Sequence, residues 1–273
     1  MIASLKLPIL AKTFHPSRFG PTSTPGNLFA QSLRTKALKD ADIRVESDED
    51  DGHYRVKVNN VSLKTPKRNL LKIRDESLSL AIANEWKANV GKKKMDLTNM
   101  HLTTLAYTAI DNPFEESNSA IISSTLEYLK FDTIRFRDAE NSELLQRQSR
   151  HWDPLIGWFE HKFDCHLPIN YDGFNDGEDL PQMTLEKLRL YLESHERSPL
   201  VGINYLARNL KSFVLTTSLT ERLLDVVKAV ELARLETRFQ TEKWSKVEWD
   251  HDLDEQCTNA RVAAGTLFYH LSL

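Results

Sequence analysis

Residues 54–65 read YRVKVNNVSLKT, a run in which polar and apolar side chains alternate on both sides of a central Asn59-Asn60 pair. Alternation places every second side chain on one face of a strand, and Asn tolerates the positive φ that a two-residue turn demands. The run therefore predicts a β-hairpin. Its second strand should end at Pro66, because proline has no N–H to donate to the ladder. A preceding strand is indicated at residues 43–45.

Helical spacing replaces this alternation downstream of the hairpin. One apolar position recurs at four-residue intervals, at Leu78, Ile82 and Trp86. This spacing predicts a helix, with Asp75 or Ser77 as its N-terminal cap. A second helix is predicted over residues 97–110, where the sequence Asp111-Asn112-Pro113 would stop it.

Beyond residue 113, apolar residues recur at helical intervals in several stripes. The stripes are Ile122, Leu126 and Leu129; Leu185, Leu188 and Leu192; Ile203, Leu206, Leu210 and Phe213; and Leu223, Val226, Val227 and Val230. An exposed acidic loop is expected at residues 170–179. The fold class is therefore predicted to be α+β, with an N-terminal β-hairpin and helix domain over residues 40–114 and an all-α helical bundle over residues 115–273.

The first 39 residues contain six basic and no acidic side chains, although the whole chain has a formal charge of −3. A basic, Ser/Thr-bearing and acid-free leader is typical of a mitochondrial transit peptide, and we expect residues 1–39 to be cleaved. A disordered cytosolic tail is the alternative. Without the leader, the chain would keep 30 of its 36 basic residues and all 39 acidic ones, which gives a formal charge of −9. Such a body does not indicate a nucleic-acid binder.

The sequence carries no clear signature of catalysis. It has no glycine-rich phosphate loop followed by Lys and no G-x-S-x-G nucleophile turn. Cys165-His166 has no second ligand pair at zinc spacing. The two cysteines, Cys165 and Cys257, lie in different sequence contexts and fit a reducing or redox-neutral setting better than a disulfide framework. No apolar run is long enough to span a bilayer. A non-enzymatic protein without cofactor or metal is expected.

Aromatic and acidic residues accumulate near the C-terminus. They are Glu236, Phe239, Trp244, Glu248, Trp249 and Asp252. Aromatic rings beside carboxylates can form a partner-binding surface, or they can be core residues with a solvated edge. By spacing, Glu236 shares an apolar helix face with Leu232 and Phe239. A buried carboxylate is costly, so Glu236 should either pair internally, with an Arg for example, or face a partner.

Several short blocks then occur in a recognisable order. They are LKTP at 63–66, EW at 85–86, LTTL at 102–105, TAIDN at 108–112, WDPL at 152–155, LE at 235–236, EKW at 242–244 and AAGTLF at 263–268. In these blocks the chain resembles the family of assembly factors that chaperone the alpha subunit of the mitochondrial ATP synthase catalytic sector. The resemblance extends from about Val56 to Leu271.

The resemblance implies a monomeric, non-catalytic chaperone of the mitochondrial matrix. It would bind unassembled alpha subunit and transfer it to the beta subunit. It implies that Glu236 is functionally important and that Trp86 is sensitive to change, for which a core role is favoured. The family often has Glu where this chain has Thr237, and Gly where it has Ser245. Two alternatives stay open from the residues alone: an enzyme acting on a small ligand through the C-terminal acidic region, and a permanent subunit of a membrane complex.

Overall fold

The computed structural model describes residues 40–48, 51–92, 95, 97–171, 180–244 and 250–273, with the side chains of residues 244, 250 and 251 left aside. The leader at residues 1–39 and most of the predicted acidic loop, residues 172–179, lie outside the described residues. Within these described ranges, no helix is both long and apolar enough to cross a bilayer.

A small antiparallel sheet forms the N-terminal layer. Its strands are β1 (Ile43–Ser47), β2 (Tyr54–Val58), β3 (Val61–Ser62) and β4 (Lys72–Ile73). Strand β2 is central, because β1, β3 and β4 all pair with it. Asn59 and Asn60 have φ values of 51° and 64°, as a two-residue hairpin turn with positive φ at both positions requires. The predicted hairpin and its preceding strand are confirmed.

Two helices follow the sheet. Helix α1 (Glu76–Lys87) is capped by the Asp75 carboxylate, which accepts a hydrogen bond from Leu78 N at 2.8 Å. Helix α2 (His101–Asp111) begins four residues later than predicted, after a short 3-10 turn, and ends where Asn112 takes a left-handed conformation. Glu85 of α1 caps α2, since its two carboxylate oxygens accept from Leu102 N and Thr103 N at 2.8 Å each. Both predicted helices are therefore confirmed, and the hydrogen bonds of Glu85 connect them.

The rest of the described chain is largely helical, as predicted. The helices are α3 (Asn118–Lys130), α4 (Ser142–Phe163), α5 (Gln182–Glu193), α6 (Arg197–Leu210), α7 (Phe213–Thr220), α8 (Val226–Ala233), α9 (Leu235–Trp244) and α10 (Asp250–Leu271). A short 3-10 turn covers Thr133–Arg135, and Phe136 after it forms an isolated β-bridge with Asn170.

Two of the predicted stripes differ from the observed helices. The stripe that ends at Phe213 crosses a helix boundary, because Lys211 has φ 52° and closes α6. The last stripe is only partly buried, since Val227 is 66% exposed. Helix α8 also ends at Ala233, so Leu232 does not share a helix with Glu236 as the spacing had indicated.

Helix α10 is the central packing element of the described chain. It lies along α6 and also contacts α1 and α2 of the N-terminal layer. Close approach to α6 depends on Gly265, where an added Cβ would lie 2.8 Å from Leu206 Cδ2. Buried residues of both halves form one continuous hydrophobic cluster. The division at residue 114 stays a prediction.

Candidate partner-binding site

Glu236 lies in the first turn of α9, where that helix meets α4. Its carboxylate accepts a hydrogen bond from Gln148 Nε2 at 2.7 Å. The amide oxygen of Gln148 accepts in turn from Asp138 N at 3.0 Å, which fixes the orientation of the amide. Gln148 is fully buried, whereas Glu236 is only partly buried. The carboxylate is therefore held at the edge of the core by a neutral donor.

The surroundings make the charged form of Glu236 costly. Burial is the main cause that raises its pKa, and the nearby Asp138 carboxylate raises it further; the Gln148 hydrogen bond and Arg137 act in the opposite direction. Arg137 is engaged elsewhere, because its guanidinium pairs with Asp153 at 2.8 Å and lies 5.0 Å from the Trp152 ring centroid. Among the described residues, the internal partner of Glu236 is thus an amide and not an arginine.

Phe239, one turn further along α9, is only 3% exposed. Lys243 Nζ lies 4.4 Å and the Arg147 guanidinium 5.0 Å from its ring centroid. Arg147 is itself paired with Glu242 at 2.6 Å. The ring therefore lies beneath a charged layer, which favours a core role for Phe239 over direct contact with a partner.

The other predicted contact residues are only partly described. Trp244 ends α9, and its side chain, together with Glu248 and Trp249, lies outside the described residues. Asp252 is exposed near the start of α10. The structure therefore brings Glu236 and Phe239 together on one helix but does not test whether the later aromatics join them.

Acidic residues that follow Asp252 have a structural role. Asp254 forms an ion pair with Arg234, and Glu255 pairs with Arg238 at 2.6 Å. These pairs tie the start of α10 to the junction of α8 and α9. The acid-rich start of α10 also places negative charge at the positive end of the helix dipole.

Trp86 is 4% exposed and packs into the core from α1. Its indole Nε1 is buried without a hydrogen-bond partner in the described part of the chain. The burial favours the core role expected for this position, because a ring of this size leaves a large cavity when it is removed.

Sequence reasoning missed the α4 side of this site. Gln148 occupies a core position in a helical series with Leu144, Trp152 and Phe159. Pro154 lies inside the same helix, and an internal proline normally argues against a helix. The four-residue spacing around Gln148 was the signal that could have located the partner of Glu236.

The described residues contain no group of three or more His, Cys, Asp or Glu side chains arranged to hold a metal ion. Both cysteines are free thiols. Burial raises the pKa of Cys165 to about 11, so this thiol is protonated at neutral pH and is a poor nucleophile.

The chain is similar to known proteins both in sequence and in structure. The sequence profile of the ATP12 chaperone protein family matches residues 36–160. The mitochondrial protein atp12 of Schizosaccharomyces pombe is 27% identical over 224 residues, which cover 79% of this chain and 77% of that protein. The crystal structure of Atp12 from Paracoccus denitrificans is 26% identical with a TM-score of 0.74, covering 85% of this chain and 97% of that one.

A further structure, that of the Agrobacterium tumefaciens protein Atu1473, has a TM-score of 0.75 at 20% identity and covers 84% of both chains. At that identity it shows the shared fold alone. The fold and the matching sequences are those of the ATP12 chaperones, which are non-enzymatic assembly factors. Over residues 36–160 the chain resembles the ATP12 chaperone protein family, and over most of its length it is similar to the Atp12 proteins of Schizosaccharomyces pombe and Paracoccus denitrificans. This resemblance favours a chaperone over the alternative of an enzyme acting through the C-terminal acidic region.

Proposed function

We propose that the chain binds the unassembled alpha subunit of the mitochondrial ATP synthase and prevents its aggregation until it pairs with the beta subunit. An unassembled subunit exposes the apolar surface that it later buries in the complex, and this surface is an aggregation hazard. A chaperone that covers the surface reversibly lowers the hazard. The resemblance of residues 36–160 to the ATP12 chaperone protein family supports this proposal.

The observation that carries the proposal is the sparse internal bonding of the Glu236 carboxylate. Its carboxylate has one hydrogen bond from a neutral amide and no ion pair among the described residues. Each ionised carboxylate has about four acceptor sites, so Glu236 keeps capacity to accept further hydrogen bonds. Charged hydrogen bonds from a client Arg, Lys or backbone N–H would offset the burial that raises the pKa of Glu236.

Asp252 and the later residues Trp244, Glu248 and Trp249 belong to the same proposal as additional contacts. Asp252 is exposed, as a contact residue must be. The mature body would be acidic, which favours a client surface that carries basic groups. In this proposal the chain acts as a monomer.

Replacement of Glu236 by Gln tests this role without loss of the side-chain shape. The variant should keep the Gln148 contact and be at least as stable as wild type at neutral pH, since it removes a partly buried charge. Its affinity for purified alpha subunit should fall about tenfold or more, because it loses charged hydrogen bonds. The matched control is Glu193→Gln, an exposed carboxylate on α5 without an ion pair among the described residues. Equal capture by folded Glu236→Gln and wild type would remove Glu236 from the mechanism.

We further propose that the chain works in the mitochondrial matrix and that residues 1–39 are its cleaved transit peptide. The Schizosaccharomyces pombe relative is a mitochondrial protein, and the acid-free leader supports the same location. In an import assay with isolated mitochondria, the precursor should be shortened and protected from protease. A chain without residues 1–39 should stay outside. Import of that shortened chain would contradict the proposal.

A permanent subunit of the enzyme complex is the competing possibility. Native electrophoresis separates the two, because a chaperone migrates with free alpha subunit and is absent from the finished complex. Stable co-migration with assembled ATP synthase would contradict the chaperone proposal.

A further inference from the structure

A tight turn at residues 64–69 joins β3 to β4 and has unusual internal support. Arg68 N donates to Thr65 O and Thr65 N donates to Asn69 O, both at 2.8 Å. Lys64 and Leu70 bridge the two sides. With Pro66 second in the turn, this is a hairpin in which a three-residue loop ends in a left-handed residue.

The turn is held from below by one buried carboxylate. Asp111, at the end of α2, accepts from Lys67 N and Asn69 Nδ2 at 2.9 Å each, and also from the Thr65 hydroxyl. Asp111 and Thr65 are both buried. Within the described chain, Asp111 accepts hydrogen bonds only from a backbone N–H and from neutral side chains of the turn. These bonds fix the backbone of the turn and do not engage its cationic side chains.

Arg68 occupies the left-handed position, with φ 67°. Glycine adopts this conformation without a steric penalty, whereas the Cβ of an arginine makes it unfavourable. Most other positive-φ residues here are Asn or Asp or close a helix, such as Asn112 and Lys211. A strained position that carries a long cationic side chain suggests that the side chain itself is used.

Three cations project from this turn: Lys64, Lys67 and Arg68 are all exposed. None of them forms an ion pair with a described residue. This is unlike the nearby sheet, where Arg55, Lys57 and Lys72 are each paired with a carboxylate. We refer to Lys64, Lys67 and Arg68 as the basic turn.

We propose that the basic turn is a docking site for an acidic segment of the client protein, separate from the Glu236 site. The inference rests on the proposed function, because it takes the alpha subunit as the client. A short acidic segment fits three cations on a rigid turn, whereas a nucleic acid or anionic bilayer would also meet the acidic remainder of the chain. The Glu236 site would then bind basic groups of the client and the basic turn would bind acidic ones, which fixes the orientation of the client.

The test compares binding of purified alpha subunit to the full chain and to the triple variant Lys64→Gln, Lys67→Gln, Arg68→Gln, at about 50 mM and about 500 mM salt. At low salt the triple variant should bind about tenfold more weakly, and the difference should largely disappear at high salt. The matched control removes three exposed cations elsewhere, Lys87, Lys92 and Arg150, by the same change to Gln. It should bind within about twofold of wild type.

Arg68→Gly provides a second variant that separates binding from folding. Glycine removes the strain at φ 67°, so the midpoint of urea unfolding should stay the same or rise while affinity falls. Loss of affinity together with a lowered midpoint would indicate a structural role and overturn the proposal.

Two further outcomes are decisive. Equal binding by the triple variant and its control overturns the basic turn but leaves the proposed function standing, whereas no binding by wild type removes both. Vesicles of phosphatidylcholine and phosphatidylserine test the other class of partner. If the triple variant loses vesicle binding but keeps alpha-subunit binding, the turn reads a membrane and the proposal is wrong.

Discussion

Replacement of Asp132 by Asn should change how the stability of the protein depends on pH. Asp132 is fully buried between α3 and α7. Its carboxylate accepts from Ile134 N at 3.1 Å and from Val214 N at 2.9 Å, so it supports the start of α7. Burial outweighs these donors and raises the pKa of Asp132 from 3.8 to about 6.

The sign of the effect follows from that raised pKa. In the unfolded chain the group titrates near 3.8, so between the two values the folded state binds a proton that the unfolded state does not. The contribution of Asp132 to the free energy of unfolding is then largest at low pH and is lost as the pH rises through about 6. Between about pH 7.5 and about pH 5, this linkage amounts to about 1.4 kcal/mol.

Urea unfolding of wild type and Asp132→Asn at both pH values measures this term, because all other titrating groups are shared. Asn loses an acceptor toward one backbone N–H, which lowers stability at every pH. Superimposed on that constant loss, the advantage of wild type should grow by about 1.4 kcal/mol on acidification. If the advantage instead shrinks, the backbone donors outweigh burial and the pKa is lowered, which refutes the reasoning.

Three further predictions concern stability. Trp86→Ala should lower the free energy of unfolding by about 3–5 kcal/mol, whereas Trp86→Phe, which removes an N–H without a described partner, should cost much less in the same urea assay. Gly265→Ala should destabilise the protein by about 1–2 kcal/mol, because the new Cβ overlaps with Leu206. Gly157→Ala should stabilise it by up to about 1 kcal/mol, because nothing lies within 4 Å of the new Cβ. Equal effects of the two changes would contradict the packing at α10. Asp111→Ala should cost about 2–4 kcal/mol and speed amide hydrogen exchange at residues 65–69; unchanged exchange there would show that the turn does not need the carboxylate.

Local patterns predicted the elements that depend on local chemistry. The Asn59-Asn60 turn follows from the φ preference of asparagine, and α1 follows from apolar spacing and the Asp75 cap. Long-range contacts left no such signal. The Glu85 cap on α2 joins residues 17 and 18 positions apart in sequence, and no periodicity reveals it.

The candidate site was predicted only in part for the same reason. Glu236 was found because a carboxylate among apolar residues is unusual, yet its spacing from Leu232 was misleading, since a helix ends between them. Its partner Gln148 lies 88 residues away on a helix that Pro154 obscured. Phe239 was identified as an aromatic near acids, but the cations over its ring depend on how α4 and α9 pack.

The most direct test of the chaperone account is light scattering by purified alpha subunit diluted from denaturant. Wild-type chain at equal concentration should suppress scattering, Glu236→Gln should suppress it much less, and addition of beta subunit should release alpha subunit into the assembled pair. Unchanged scattering in the presence of folded wild-type chain would contradict the central claim.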